Sequence, residues 1–466
     1  MNPKKLFIII ASCLFSLGSM ADDYLLRGSE LSLTKGTESA TFNVYMDNVE
    51  TVSNLQFDLY LPEGIDVYYG ENEDEDMVYF ISKGDRAKTA HTVSIAKHTD
   101  FYRVAISSTT NAEFKETAAN RVKPIAVVTL DIDKDLDAKA LDIVLKNVVL
   151  AHYDSQNQVT TKITPQDNFT ACLIKPASGV EENTSNGVAS FASAEGEKIS
   201  KNIYQEYVES QSNLTAIDLR AAELGSDITC VDDLKPAGLG ENAIILLPKD
   251  AAISGENVVI DHKCENLKLT DGERFAAPTQ FKATVANYSR TTPASFGTIC
   301  LPFTPDRANY TYYKLKSTSG SKLIFEIEDN PQANTPYLYR ATNGNMTAAN
   351  VSISTEGAGE FANAGWTMKG TFETSQFHAA DNVYALFEGK IYRNTGALTM
   401  NPFRAYFTND SSAGKFDIEI ETPTGIQIIS SDDLDTADGV YNVAGMKVGT
   451  DYKGVVISNG KKYINK

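Results

Sequence analysis

The sequence is short of the residues that most often carry catalysis. Its 466 residues hold one tryptophan, five histidines and five cysteines. The histidines, His91, His98, His152, His262 and His378, fall in separate stretches. There is no Gly-x-Ser-x-Gly elbow, no His-Glu-x-x-His pair and no phosphate-cradling glycine loop, which excludes the commonest hydrolase, metalloprotease and nucleotide-binding signatures. No CxxC pair occurs, so a zinc-ribbon or thioredoxin-type reading has no support. Past the N-terminus no apolar run approaches the roughly 20 residues of a membrane-spanning helix. A cationic excess is also missing: the formal net charge of -19 argues against nucleic acid and anionic membrane surfaces as partners. The paired acids of a glycosidase need only be close in space, but most carboxylates here lie in polar runs where nothing raises a pKa. The chain reads as a non-enzyme.

The N-terminus speaks to location. Lys4 and Lys5 precede an apolar run from Leu6 to Leu17, and Ser19-Met20-Ala21 supplies a small-residue exit. Residues 1–21 therefore read as a secretory signal peptide cut before Asp22, and the chain as secreted or displayed on the outer cell surface. Ile10-Ala11-Ser12-Cys13 resembles a lipobox, which makes lipidation at Cys13 the alternative, although the apolar run continues beyond it. The exported chain keeps Cys172, Cys230, Cys264 and Cys300, which allow three disulfide connectivities in an oxidising compartment. Cys172, flanked by Ala171, Leu173 and Ile174, reads as a buried thiol.

The length implies roughly three domains, and the pattern is all-β. In the stretch around Leu55, Phe57, Leu59 and Leu61 the apolar residues alternate with Gln56, Asp58 and Tyr60, the period of a strand with one buried and one wet face, and Pro62 and Gly64 end it. Further short strands run to about Lys175, which favours a sandwich or jelly roll over residues 22–175. Residues 176–195, rich in Ser, Ala, Gly, Glu and Asn, read as a linker. Over 196–282, Asn213, Asn242, Asn257 and Asn266 each precede a short apolar strand, suggesting rungs of a leucine-rich or β-solenoid bridge. Ile199, Ile203 and Tyr207 recur every four residues and predict one helix before the rungs. A second antiparallel β domain covers 283–421, and 422–466 forms a small C-terminal module whose Asn459-Gly460 predicts a two-residue hairpin turn.

Two resemblances add to this. Leu55 to Ile65, the Arg103-Val104-Ala105-Ile106-Ser107-Ser108 strand and the strand from Ile125 to Ile132 together resemble a cohesin-type domain. The resemblance implies a nine-stranded jelly roll that binds a partner through a sheet face, a dockerin-like protein or a polysaccharide-adhering assembly, with no catalytic residues. The Tyr441-Asn442-x-x-Gly445 stretch, the Lys453-Gly454-Val455-Val456-Ile457 strand and the terminal Gly460-Lys461-Lys462 resemble the C-terminal sorting module of type IX secretion, which implies passage across the outer membrane.

Candidate ligand residues are few. Sugar platforms need exposed rings, and Trp366, Tyr312 and Tyr313 are the first candidates, with Tyr68, Tyr69, Tyr337 and Tyr339 behind them. Aromatics on β domains are more often core. Asp131, Asp133 and Asp135, with Asp142 at the twelfth position, open like a calcium loop, but Leu136 stands where that loop needs glycine. Calcium is the one cofactor the pattern admits. Glu71, Glu73, Asp74, Glu75 and Asp76 crowd a second acidic loop. The reading is a non-catalytic adhesion or binding protein for a polysaccharide or protein partner. The alternatives are a carbohydrate-binding surface lipoprotein and a structural component of a surface layer or pilus.

Overall fold

The computed structural model describes residues 24–465 except 116–117, 155–158, 237, 292–295, 306, 308, 342–343, 411–412, 422–426, 430–439, 443, 450–451, 453 and 459–460. The signal-peptide and Cys13 readings, the break at 422–426, the acid-rich stretch 432–438 and the Asn459-Gly460 turn lie outside the described residues. The protein is all-β, with multiple sheets, and it divides into two compact units. One comprises residues up to Asn266 together with Ala277–Lys282; the other comprises Leu267–Ala276 and Ala283 onward.

The first unit opens with a two-sheet sandwich of twelve strands and a two-stranded ribbon. They are β1 (Leu25–Gly28), β2 (Leu31–Thr34), β3 (Ser39–Asp47), β4 (Asn54–Tyr60), β5 (Ile65–Val67), β6 (Tyr69–Glu71) and β7 (Met77–Tyr79). Then follow β8 (Ile81–Lys83), β9 (His91–Lys97), β10 (Tyr102–Ser108), β11 (Ala126–Ile132), β12 (Lys139–Asp154), β13 (Val159–Ile163) and β14 (Asn168–Lys175). One sheet runs β1-β3-β11-β5 with β8 on β11; the other runs β2-β14-β12-β4-β10-β9 with β13 on β12, and β6 pairs only with β7. Period-two alternation drives Leu55, Phe57 and Leu59 of β4, Val104 and Ile106 of β10 and Phe42 and Val44 of β3 into one shared core. Neighbours pair antiparallel except β2, which lies parallel to β14 with Leu31 opposite Cys172 and Thr34 opposite Lys175.

The segment read as a linker is a hairpin. β15 (Val180–Ser185) pairs with β16 (Val188–Ser193), and Asn186 and Gly187 between them both take left-handed φ. That is a two-residue primed turn, which Asn-Gly favours. Phe191 is buried because the small residues around it form a packed strand, not a flexible tether. The helix falls at Lys201–Ser210, capped by the Ser200 hydroxyl accepting from the Ile203 N–H. Its buried face is Tyr204 and Val208; of the four-residue recurrence, Ile199 before the helix is buried and Tyr207 packs against the same core, while Ile203 is exposed.

The bridge is a parallel ladder. β16, β17 (Ala216–Ala221), β18 (Ile244–Leu247) and β19 (Val258–Ile260) stack in chain order, one strand per passage. The recurrent asparagines have turn duties: Asn213 and Asn257 take left-handed φ, and the buried Asn257 amide donates to the Glu241 carbonyl.

In the second unit a long sheet runs in the order Gly297–Ile299, Tyr337–Ala341, Tyr310–Ser319, Lys322–Glu328, Lys415–Ile420, Lys390–Arg393, Val383–Phe387, Arg404–Thr408, Trp366–Thr371 and Glu360–Asn363. Trp366, Tyr384 and Phe416 pack edge to face in its buried core, with Trp366 at 4.9 and 4.8 Å from the other two rings. Farther along the chain, Gly454–Ser458 and Lys461–Asn465 pair antiparallel, as the hairpin reading requires of its two arms.

Candidate functional site

The candidate site lies on the outer face of the β2-to-β9 sheet. Its outward side chains come from alternate positions: Gln56, Asp58 and Tyr60 of β4, Arg103 and Ala105 of β10, Ser94 and Ala96 of β9, and Ala140, Asp142, Val144 and Lys146 of β12. One half of this face is covered. Ala138, Ala140 and Leu173 pack against Ala192 and Ala221 of the ladder. Beside them both oxygens of Asp142 accept from Nη1 of Arg220 of β17, at 2.8 and 3.0 Å, and Asp142 also accepts from the Thr279 hydroxyl at 2.7 Å and stands 3.3 Å from Nε2 of His262. Arg220 also holds Asp218. Burial works against the charge on Asp142, but Arg220 and His262 outweigh it and hold its carboxyl far below the usual range. His262 sits with Asp261 in a left-handed two-residue turn after β19, and its Nδ1 donates to the Gln280 carbonyl at 2.9 Å.

The other half, from the middle of β12 across β4 and β10 to β9, is open. Asp58, expected on a wet face, is fully buried there, because Arg103 lies over it. Nε and Nη2 of Arg103 donate to its two oxygens, each at 2.8 Å, and the Asn147 amide adds a third bond at 3.0 Å. Asn147 reaches it from a bulge in β12, where the register to β4 shifts between Lys146 and Val149 and Asn147 takes left-handed φ. Burial pushes the Asp58 carboxyl up, and these bonds more than reverse that, leaving its pKa lowered. Beside the pair runs a ring ladder: the Lys146 ammonium 5.0 Å over Tyr60, Tyr60 stacked on Phe101 at 5.2 Å, and Phe101 stacked on His98 at 4.5 Å. Arg103 is 39% exposed and also lies over Phe101. The result is a column of stacked rings edged by two cations, one of them locked in place by a buried carboxylate.

The sequence candidates lie elsewhere. Trp366, Tyr312 and Tyr313 are 3%, 0% and 6% exposed and belong to the interior of the second unit, so none offers a ring to a sugar. Tyr337 and Tyr339 are likewise buried. Asp131 and Asp142 stand on opposite sheets of the sandwich, Asp133 accepts from the Asp135 N–H in the turn after β11, and the Asp142 oxygens are occupied by Arg220, His262 and Thr279. Among the described residues no group of three or more His, Cys, Asp and Glu gathers to hold a metal ion. Cys172, Cys264 and Cys300 are buried free thiols and Cys230 is an exposed one, so none of the possible disulfides is formed. Burial pushes the Cys172 and Cys300 thiols up to about 12.

The fold and this face together define an all-β protein built on a two-sheet sandwich. No protein family and no curated protein matches the chain in sequence. Among solved structures it is similar to a non-cellulosomal cohesin from the hyperthermophilic archaeon Archaeoglobus fulgidus, at 10% identity and a TM-score of 0.24, over 32% of this chain and 91% of that one.

Proposed function

We propose that the protein is a non-catalytic adhesion protein of the outer cell surface that holds a protein partner through the open half of the sandwich sheet. The observation that carries this reading is Arg103, fixed over the buried Asp58 beside the Tyr60–Phe101–His98 ladder. A pre-positioned arginine flanked by aromatic rings is the composition of interface hot spots, because little side-chain entropy is left to lose on binding. Export through a signal peptide ending at Ala21 and a type IX sorting tail belong to the same proposal, as does a dockerin-like partner. Anchoring by a lipid on Cys13, with glycan as ligand, is the competing reading. The mass of the mature N-terminus separates the anchors, since lipidation requires a chain beginning at Cys13 and plain export one beginning at Asp22.

The test immobilises the mature chain and exposes it in parallel to envelope proteins and to polysaccharides, with and without calcium, beside the Arg103→Ala and Tyr60→Ala variants. The expected result is one protein retained in near-equal amount by the wild type and at least tenfold less by each variant. Retention of glycan alone, or of the same protein equally by the variants, overturns the reading.

A further inference from the structure

The β6–β7 ribbon pairs with neither sheet of the sandwich; at its base Tyr79 packs on Tyr102 of β10 at 5.3 Å, and the half of the ribbon beyond it presents an uncovered face. Tyr69 pairs with Tyr79 and Glu71 with Met77, so alternation puts these four side chains on one side. The Tyr69 and Tyr79 rings lie 4.7 Å apart, and Tyr69 and Met77 are 51% and 50% exposed. On the opposite side Tyr68, itself partly open to water, packs against Phe80 and lies across Gly70, where an added Cβ would meet its ring at 2.9 Å. The ribbon is closed by Asn72, whose side-chain oxygen accepts from the N–H groups of Asp74 and Asp76. Glu71, Glu73, Asp74, Glu75 and Asp76 are all exposed, and no lysine, arginine or histidine pairs with them among the described residues. The cation near the base of the ribbon, Lys97, is engaged with Asp66 at 2.7 Å.

An exposed tyrosine and methionine that run into unpaired carboxylates match one kind of side chain closely. Lysine and arginine carry an apolar stem and a cationic head, so the stem covers Met77 and Tyr69 while the head meets either a ring face or a carboxylate. We propose that this face of the β6–β7 ribbon is a docking site for a lysine- or arginine-rich segment of a partner protein. Charge complementarity selects the occupant. A neutral glycan would use the rings and leave five carboxylates idle, and a second copy of this acidic chain would be repelled. The site is separate from the Arg103 face and does not depend on it.

The probe is a labelled decalysine peptide, titrated onto the mature chain at several salt concentrations, with decaglutamate and a soluble neutral glucan as controls. Three variants are compared, each checked for an unchanged circular dichroism spectrum: Tyr69→Ala with Met77→Ala; Glu73→Gln with Asp74→Asn and Glu75→Gln; and Glu197→Gln with Glu206→Gln and Glu209→Gln, which removes equal charge from exposed positions elsewhere. The expected result is decalysine binding weakened at least tenfold by the tip neutralisation, at least fivefold by the apolar truncation at every salt concentration, and less than twofold by the remote neutralisation. The proposal is overturned if decalysine does not bind the wild type or if the remote variant weakens binding as much as the tip variant. It is equally overturned if the apolar truncation changes nothing, or if the glucan binds and decalysine does not.

Discussion

At the scale of single residues, charge is placed where it is boxed in. Truncating Arg103 leaves the Asp58 carboxylate buried with only Asn147 to hold it, so Arg103→Ala is expected to cost about 2 kcal/mol in urea unfolding as well as binding. Arg103→Lys loses the two-pronged geometry and behaves nearly as badly. Arg86 is a second case: fully buried, it donates to the Lys115 and Met46 carbonyls and to the Asn48 side chain. A lysine cannot span those acceptors, and Arg86→Lys is expected to destabilise by about 2–4 kcal/mol in the same assay. His262 predicts a pH dependence. Burial alone would lower its pKa, but Asp142 reverses that and the net value lies above the ordinary one. Its stabilising contribution is therefore complete below about pH 6.5, the unfolded value, and is lost as pH rises through the higher folded value. His262→Asn keeps the left-handed turn, and the stability gap between wild type and this variant should shrink steadily from pH 6 to pH 9. A gap that is flat or widens refutes the His262–Asp142 linkage.

Among elements, the strands of the sandwich were legible and their exceptions were not. Alternation placed Leu55, Phe57 and Leu59 inside without help, because one face of β4 has to be apolar. The same alternation assigned Asp58 to water, since nothing local announces that Arg103 of β10 and an asparagine in a bulge of β12 will cover it. Contacts made across strands are invisible to a period of two. The residues 176–195 show the opposite error: composition spoke for a linker while Asn186-Gly187 already spelled a hairpin turn. Gly187→Val should therefore unfold the β15–β16 hairpin early, because its left-handed φ excludes a branched side chain and the added Cβ would meet Thr215 and the Asn213 carbonyl at 3.2 Å. Hydrogen exchange over residues 180–193 measures it, with a loss of protection expected. The aromatic candidates failed for a simpler reason: a strand shows which side chains share a face, and only tertiary packing decides which face is dry. Tyr68 and Tyr69, the weaker candidates by sequence, are the ones that reach water.

For the whole molecule, cohesion comes from packed sheets and ion pairs, with no covalent staple among the described cysteines. A thiol reagent should label Cys230 rapidly in the native chain and leave Cys172, Cys264 and Cys300 unreacted until denaturant is added, and reductant should leave the melting temperature unchanged. A reductant-sensitive melt would contradict the free-thiol state. The parallel pairing of β2 with β14 bears on how such a protein carries load. Strand β2 is tethered to the preceding chain at its leading end, and β14 to the following chain at its trailing end, with Leu31 to Thr34 lying against Cys172 to Lys175. Tension drawn between those two tethers slides the strands past each other, and the ladder bonds must fail together instead of unzipping one by one. Once β1, which precedes β2 and pairs with β3, has come away, the β2–β14 pair resists as a shear joint, the stronger of the two geometries a β-sheet offers to mechanical force.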